Sequence, residues 1–248
     1  MPNLRLDGKK ALVTGAGGGL GRAIADALAE CGATVYGTSR NSSTRLEIQQ
    51  RYGTPSLPVD LADTRSVGDF VESLLQRTGG IDLLVNNAGV NVPKPALEVT
   101  EADWDDVFGT NLKGSFFLTT ALARHWIGSG TQAAVVNVAS QAGIVAIEER
   151  AAYGTSKAGL IHLTKILALE WASSGIRVNA VAPTFVRTEL TASTLSRPDW
   201  AAELLSRIPA GRFGEPEEIA ASVAFLLSDA AAMITGHTLA IDGGYTIR

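Results

Sequence analysis

Along the whole chain, short unbroken apolar runs alternate with longer stretches in which apolar residues return at helical spacing. An unbroken run bounded by polar or turn residues reads as a strand covered on both faces, and the wider period as an amphipathic helix. Lys10 to Thr14 (KALVT) is the first such strand; after a glycine-rich turn comes LGRAIADALAECG, where Leu20, Ile24, Ala27 and Leu28 share one helical face. A second strand is expected at Thr34 to Thr38, and then a polar helix near Ser43 to Tyr52, capped by Ser42 or Ser43. A short third strand follows at Ser56 to Val59, closed by Asp60. Val67, Phe70, Val71 and Leu74 mark the next helix, and IDLLVNNAG the fourth strand. Glu101 to Trp126 is a long apolar-rich stretch that leads to a fifth strand, Ala134 to Val138; a helix at Ala152 to Trp171 precedes the sixth, Ile176 to Val181. A variable region from Pro183 to Pro209 holds one short helix, Trp200 to Arg207. Pro216 then opens a helix through Ile219, Val223, Phe225 and Leu226, and HTLAI forms the last strand.

Seven such strands separated by helices predict an α/β protein: a doubly wound Rossmann fold with a seven-stranded parallel sheet and helices on both faces. No linker, repeat or low-complexity block interrupts the pattern, so residues 1–248 read as a single domain. Ligands are then expected outside the carboxyl ends of the strands.

Composition narrows the function. Hydrophobic residues make up 46% of the chain, enough for a large core, and the formal charge of −4 with no dense basic patch argues against nucleic-acid binding. No apolar run approaches the ~20 residues of a membrane span, and MPNLRLDGKKALVTGAG does not read as a secretory leader. A lone cysteine, Cys31, forms no internal disulfide and reads as a small apolar residue at a helix end. His125, His162 and His237 lack ligand-like spacing, so no metal is expected. The expected location is cytoplasmic.

The turn after the first strand is Thr14-Gly15-Ala16-Gly17-Gly18-Gly19-Leu20-Gly21. Glycines between a strand and a helix allow a tight turn and let backbone N–H groups approach a diphosphate at the helix N-terminus. Tyr153 and Lys157 stand at i and i+4 of one helix, thirteen residues beyond Ser140 in the loop after an apolar strand. A phenol has an unperturbed pKa near 10, and a cation held close pulls it toward the working range, making Tyr153 usable as a general acid or base.

With these motifs the chain resembles the short-chain dehydrogenase/reductases of the classical subtype over essentially its full length. The resemblance implies that Thr14, Gly15, Gly18, Gly19 and Gly21 form the diphosphate turn with Leu20 as a backbone contact. It implies that Asp60 and Leu61 border the adenine, and that Asn87, Ala88 and Gly89 of NNAG line the adenosine ribose. Tyr153 would exchange the proton with the substrate oxygen, Lys157 would lower its pKa and bind the nicotinamide ribose, and Ser140 would hold the substrate oxygen. Asn111, in FGTNLKG, would support a water-linked relay to Lys157. Val186 and Thr188 match residues at the nicotinamide carboxamide. Pro183-Thr184 departs from the family's usual Pro-Gly and adds a side chain to a tight site.

At the end of the second strand, where an NAD enzyme carries a carboxylate for the ribose hydroxyls, this chain has Ser39 and Arg40. Arginine's planar fork suits a phosphate, so NADP(H) is favoured and NAD(H) is the alternative. Gly18 lacks the second basic side chain that many NADP-using relatives place there. Substrate contacts are expected from Gln141, Ile147, Glu148, Glu149, Phe185 and the segment 189–200; Asn91 and Lys94 either reach the cleft or face water. Glu148 and Glu149 can accept hydrogen bonds from several hydroxyls and would disfavour an anion. SQAG, the Pro-Thr variant and the ending ITGHTLAIDGGYTIR resemble relatives acting on sugar alcohols, sugar acids or ketoses. The alternatives are reduction of a 3-oxoacyl thioester, which predicts a basic entrance, reduction of apolar ketones, and a dinucleotide-binding sensor or scaffold without turnover. Pairing through the helices of Trp104 to Leu122 and Tyr153 to Leu169, with a second contact at the C-terminal segment, predicts a homotetramer.

Overall fold

The computed structural model describes residues 4–247, apart from the side chains of Leu190, Ser193 and Thr194. Among these residues six parallel strands make one sheet: β1 (Lys10–Val13), β2 (Thr34–Gly37), β3 (Leu83–Asn86), β4 (Ala133–Val138), β5 (Ile176–Pro183) and β6 (Thr238–Ile241), in the order β2-β1-β3-β4-β5-β6. The order reverses at β1, so the crevice between the carboxyl ends of β1 and β3 is the place where this topology holds ligands.

Alternate residues along each strand feed two cores. Ala11, Val13, Val85 and Val136 meet Ile24 and Leu28 of α1 (Gly19–Glu30) and Val223 and Leu227 of α9 (Pro216–Leu227). Leu12, Leu84, Val135 and Val178 point the other way. They pack on Phe70 and Leu74 of α3 (Thr64–Thr78), Leu122 and Trp126 of α5 (Ser115–Ser129) and Leu167 of α6 (Ala151–Trp171). A sheet covered on both faces needs no polar alternation, which is why its strands read as unbroken apolar runs.

Ser56 to Val59 is not a strand, and the sheet has six strands instead of seven. Pro55 and Pro58 have no backbone N–H to donate to a ladder. The segment nevertheless follows the outer edge of β2, where hydroxyls replace amides: Thr54 Oγ1 donates to the Val35 carbonyl at 2.5 Å and Ser56 Oγ to that of Gly37 at 2.8 Å. The helix α2 (Ser42–Tyr52) is capped by Asn41 rather than Ser42 or Ser43; its Oδ1 accepts from the Ser43 amide at 2.9 Å.

The long stretch expected at Glu101 to Trp126 divides into α4 (Glu101–Phe108), a wide π-helical turn (Gly109–Gly114) and α5. The variable region carries α7 (Glu189–Leu195), absent from the sequence expectation, and α8 (Pro198–Ser206), which Pro198 starts two residues ahead of the expected Trp200. Among the described residues no helix is long and apolar enough to cross a membrane.

Trp126 is fully buried, and its indole N–H donates to the Ile81 carbonyl at 2.6 Å, tying α5 to the start of β3. Trp126→Ala leaves both a cavity and an unpaired carbonyl, and is expected to lower stability by about 3–5 kcal/mol in urea unfolding.

Candidate active site

The carboxyl ends of β1 to β5 open on one cavity of about 480 Å³. Its floor is the Gly15–Gly21 turn. Gly15 (φ +67°) and Gly19 (φ +48°) take left-handed backbone conformations, and a Cβ on Gly21 would lie 2.1 Å from the Gly15 carbonyl oxygen and 2.5 Å from Asn87 Nδ2. Gly18, the N-cap of α1, has no side chain to occupy the helix's first amides. Such a cradle, open at a helix N-terminus, fits a dinucleotide diphosphate. Thr14 lies behind it: its buried hydroxyl donates to the Val85 carbonyl at 3.3 Å and accepts the amides of Asn87 and Ala88, each at 3.0 Å.

At one end of the cavity stand Ser39, Arg40 and Asn41, with Asp60 and Leu61 across from them. No carboxylate occupies the end of β2. Arg45 Nη1 donates to the carbonyls of Ser39 at 3.2 Å and Arg40 at 2.8 Å, so a second guanidinium clamps the loop that carries Arg40. The sequence expectation missed Arg45, although its place one turn into α2 was the available signal.

At the other end are Ser140, Tyr153 and Lys157. Ser140 follows β4, and its Oγ accepts the Ala142 amide at 3.1 Å. Lys157, 4% exposed, donates from Nζ to the Val138 carbonyl at 2.8 Å and lies 5.6 Å from the centre of the Tyr153 ring. Asn111 sits in the π-helical turn; Oδ1 accepts the Val90 amide at 2.8 Å, and Nδ2 donates to the Val90 carbonyl at 3.0 Å and to Ser156 Oγ at 3.1 Å. A Cβ on Gly89 would stand 3.2 Å from Asn111 Oδ1 and 3.5 Å from Lys157 Nζ, so glycine leaves that corner open to both polar groups.

Burial lowers the Lys157 ammonium to about 8. Burial also pushes the Tyr153 phenol up, opposed by the Ser140 hydroxyl and then by the positive charge of Arg150. The arrangement provides a phenol for proton exchange, a hydroxyl donor beside it and an ammonium facing the same cavity.

Gly18, Gly19, Leu20, Asn87, Ala88, Pro183, Thr184, Val186 and Thr188 also line the cavity, joined by Thr38, Val90, Thr110, Glu189 and Thr191, none of which was expected on the cofactor. Glu189 bears on Gly18: its Oε2 lies 2.8 Å from the position a Gly18 Cβ would take, so a side chain at residue 18 would have to displace the Glu189 carboxylate. The expected substrate contacts are scattered. Gln141 is buried beyond Ser140, and Phe185 packs in a separate apolar cluster with Leu204, Phe213 and Tyr245. Glu148 is exposed, and Glu149 pairs with Arg197 at 3.6 Å. Lys94 pairs with Asp103 at 2.6 Å, and Asn91 Oδ1 is buried without a hydrogen-bond partner.

Residues 15–246 match the family described as Enoyl-(Acyl carrier protein) reductase. The chain is 43% identical to D-threitol dehydrogenase of Mycolicibacterium smegmatis, covering 99% of this chain and 96% of that protein. It is 41% identical to L-xylulose reductase of Bos taurus, covering 98% of each. A gluconate 5-dehydrogenase from Burkholderia cenocepacia, in complex with NADP and tartrate, superposes with a TM-score of 0.94 at 34% identity, covering 99% of this chain and 98% of that one.

Lys157 has its own pH signature. With a value of about 8 when folded against 10.5 when unfolded, it is charged in both states below that window and neutral in both above it. Within the window only the unfolded chain holds the proton, so stability rises with pH. Relative to Lys157→Met, the wild type is expected to gain up to roughly 3 kcal/mol across the window and nothing below it. Urea midpoints of both proteins from about pH 7 to about pH 10 check this; a constant difference contradicts it.

Proposed function

Because the chain belongs to the short-chain dehydrogenase/reductase family and is an NAD(P)-dependent oxidoreductase of hydroxyl and keto groups, we propose that Tyr153 is its proton-exchanging residue and that its substrates are polyols or related sugar derivatives. The observation that carries this reading is that Ser140, Tyr153 and Lys157 open on the same cavity as the Gly15–Gly21 cradle.

When bound, the nicotinamide supplies or accepts the hydride. The turn holds the diphosphate through backbone amides, and Lys157 and Thr188 border the nicotinamide end. In oxidation, Tyr153 Oη takes the proton of the substrate hydroxyl; in reduction it returns that proton to the carbonyl oxygen. The Ser140 hydroxyl donates to the same oxygen, stabilising the charge that develops there. Asn111 is a positioning residue: it locks the Val90 backbone and Ser156 beside the Lys157 corner. Ser39 and Arg40, with Arg45 behind them, favour NADP over NAD, in keeping with the NADP named for the gluconate 5-dehydrogenase.

Support for a polyol or sugar-type substrate comes from the named activities of the relatives, D-threitol, L-xylulose and gluconate conversion. Glu149 pairs with Arg197, which offsets part of the charge expected to disfavour sugar acids. The description of the matched family names an acyl-carrier-protein reductase, so a 3-oxoacyl thioester belongs in the assay panel.

The same reading includes a homotetramer in the cytoplasm. It is supported by a hollow between α4, the π-helical turn and α6 lined by Phe108, Leu112, Phe116, Leu163 and Ile166, and by the exposed side chains of Leu169 and Met233. Sedimentation equilibrium is expected to give four chains; a monomer at assay concentration rejects this part.

Tyr153→Phe is expected to reduce kcat for polyol oxidation by about 10²–10⁴-fold while leaving NADP binding, followed by cofactor fluorescence, within about twofold. Oxidation that survives at a comparable rate rejects the proton assignment. Arg40→Ser is expected to raise the KM for NADP about tenfold or more, with little change for NAD; equal changes for both cofactors reject the 2′-phosphate role.

A further inference from the structure

Glu189 lines the cavity of the Gly15–Gly21 turn but takes no part in the chemistry above. It is the first residue of α7, and the backbone leading into that helix is fixed to the site. The Arg187 amide donates to the Gly214 carbonyl at 3.1 Å, and the Gly214 amide to that of Phe185 at 3.0 Å. Thr191 Oγ1 then donates to the Val186 carbonyl and accepts the Thr188 amide at 3.2 Å. So held, the start of α7 stands over the start of α1. Thr188 Cβ lies 3.3 Å from the position a Cβ on Gly19 would take, just as Glu189 Oε2 lies 2.8 Å from that of Gly18.

The helix α1 supplies no anion of its own at this end. Its N-cap, Gly18, makes no side-chain hydrogen bond, and its first turn holds no acidic residue. The positive end of a helix favours a negative charge, and the Glu189 carboxylate brings one from another element. Among the described residues no lysine or arginine forms an ion pair with it. Arg187, two residues earlier, pairs with Glu215 at 3.4 Å and lies over the Phe213 ring at 5.4 Å. Arg22 of α1 is turned to the Gly17 carbonyl and to Glu47, the latter at 3.4 Å.

We infer that Glu189 sets the strength of dinucleotide binding, because its carboxylate stands at the end of α1 that the diphosphate takes. Two anions at such range repel, so the diphosphate either displaces the carboxylate or binds against it. Glu189 thereby weakens binding and eases the exchange of oxidised for reduced cofactor that every turnover requires. The inference rests on the reading of the Gly15–Gly21 turn as the diphosphate cradle. A merely structural acid acts in the opposite direction. At the first position of α7 a carboxylate favours that helix's own N-terminus, and on that account alone its removal loosens the cover of the cradle and weakens binding.

The test compares the wild type with Glu189→Gln and Glu189→Ala. The dissociation constant of NADPH is followed by cofactor fluorescence, and those of NAD⁺, ADP and adenosine by displacement of NADPH. NADPH, NAD⁺ and ADP are expected to bind about threefold or more tighter to both variants. Adenosine, which carries no phosphate, stays within about twofold of the wild type on the same grounds. The gain shrinks as KCl is raised from about 0.05 to about 0.5 M, because the lost repulsion is screened by salt. Glutamine brings an N–H of its own to a phosphate and alanine does not, so only a gain common to both variants belongs to the charge. Constants that stay in place or weaken overturn the inference, as does a gain confined to Glu189→Gln or one shared equally by adenosine. A gain confined to NADPH moves the carboxylate's influence to the 2′-phosphate and overturns the diphosphate assignment. A wild type that binds no NADPH removes the cradle reading together with the inference, whereas tight binding with unmoved variants removes the inference alone.

Discussion

A single buried hydroxyl holds the cleft open. Thr14 Oγ1 receives the amides of Asn87 and Ala88 and gives its own proton to Val85, while Asn87 Nδ2 returns to the Thr14 carbonyl at 2.9 Å. These bonds join the carboxyl ends of β1 and β3 at the point where the sheet order reverses. Gly15 then approaches Ala88 so closely that a Cβ on Gly15 would lie 3.1 Å from the Ala88 Cα. The crevice, the diphosphate turn and the ribose-lining segment are all set by that junction. Without it the Asn87 and Ala88 amides would end β3 unpaired.

Around this frame the site gains its chemistry by excluding water. Lys157 is embedded among β4, α6 and the corner at Gly89, so its charge is disfavoured and its proton loosely held. The phenol beside it is desolvated as well, with the opposite effect, since burial there disfavours the anion. A hydroxyl and a guanidinium oppose that rise. The irregular turn at Gly109–Gly114 has a use in this setting. It carries Asn111, whose side chain bonds both the amide and the carbonyl of Val90.

Where the physics is local and periodic, the sequence was readable. The buried strands, the glycine turn and the Tyr153–Lys157 pair all depend on neighbours a few residues apart. Ser56 to Val59 misled because apolar content was counted while Pro55 and Pro58 had already removed the donors a ladder needs. Asn41 was passed over for the serines next to it, although its carboxamide reaches the amide two residues on. Substrate contacts were the least legible. Gln141, Glu148, Glu149 and Phe185 lie close in sequence to Ser140 or Pro183, but their surroundings are set by distant segments, as where Phe185 meets Leu204 and Tyr245.

The proline-interrupted stretch beside β2 bears on the behaviour of the chain in a crowded solution. β2 is an outer strand, and an outer strand with unsatisfied carbonyls is a template for recruiting another polypeptide. Here the carbonyls of Val35 and Gly37 are already taken by Thr54 and Ser56. The covering segment itself, short of amides at its prolines, offers an incoming chain little to zip onto. The margin of the sheet is thereby closed without a further strand, and the fold is guarded against edge-to-edge aggregation on the side where a dinucleotide's adenosine would rest.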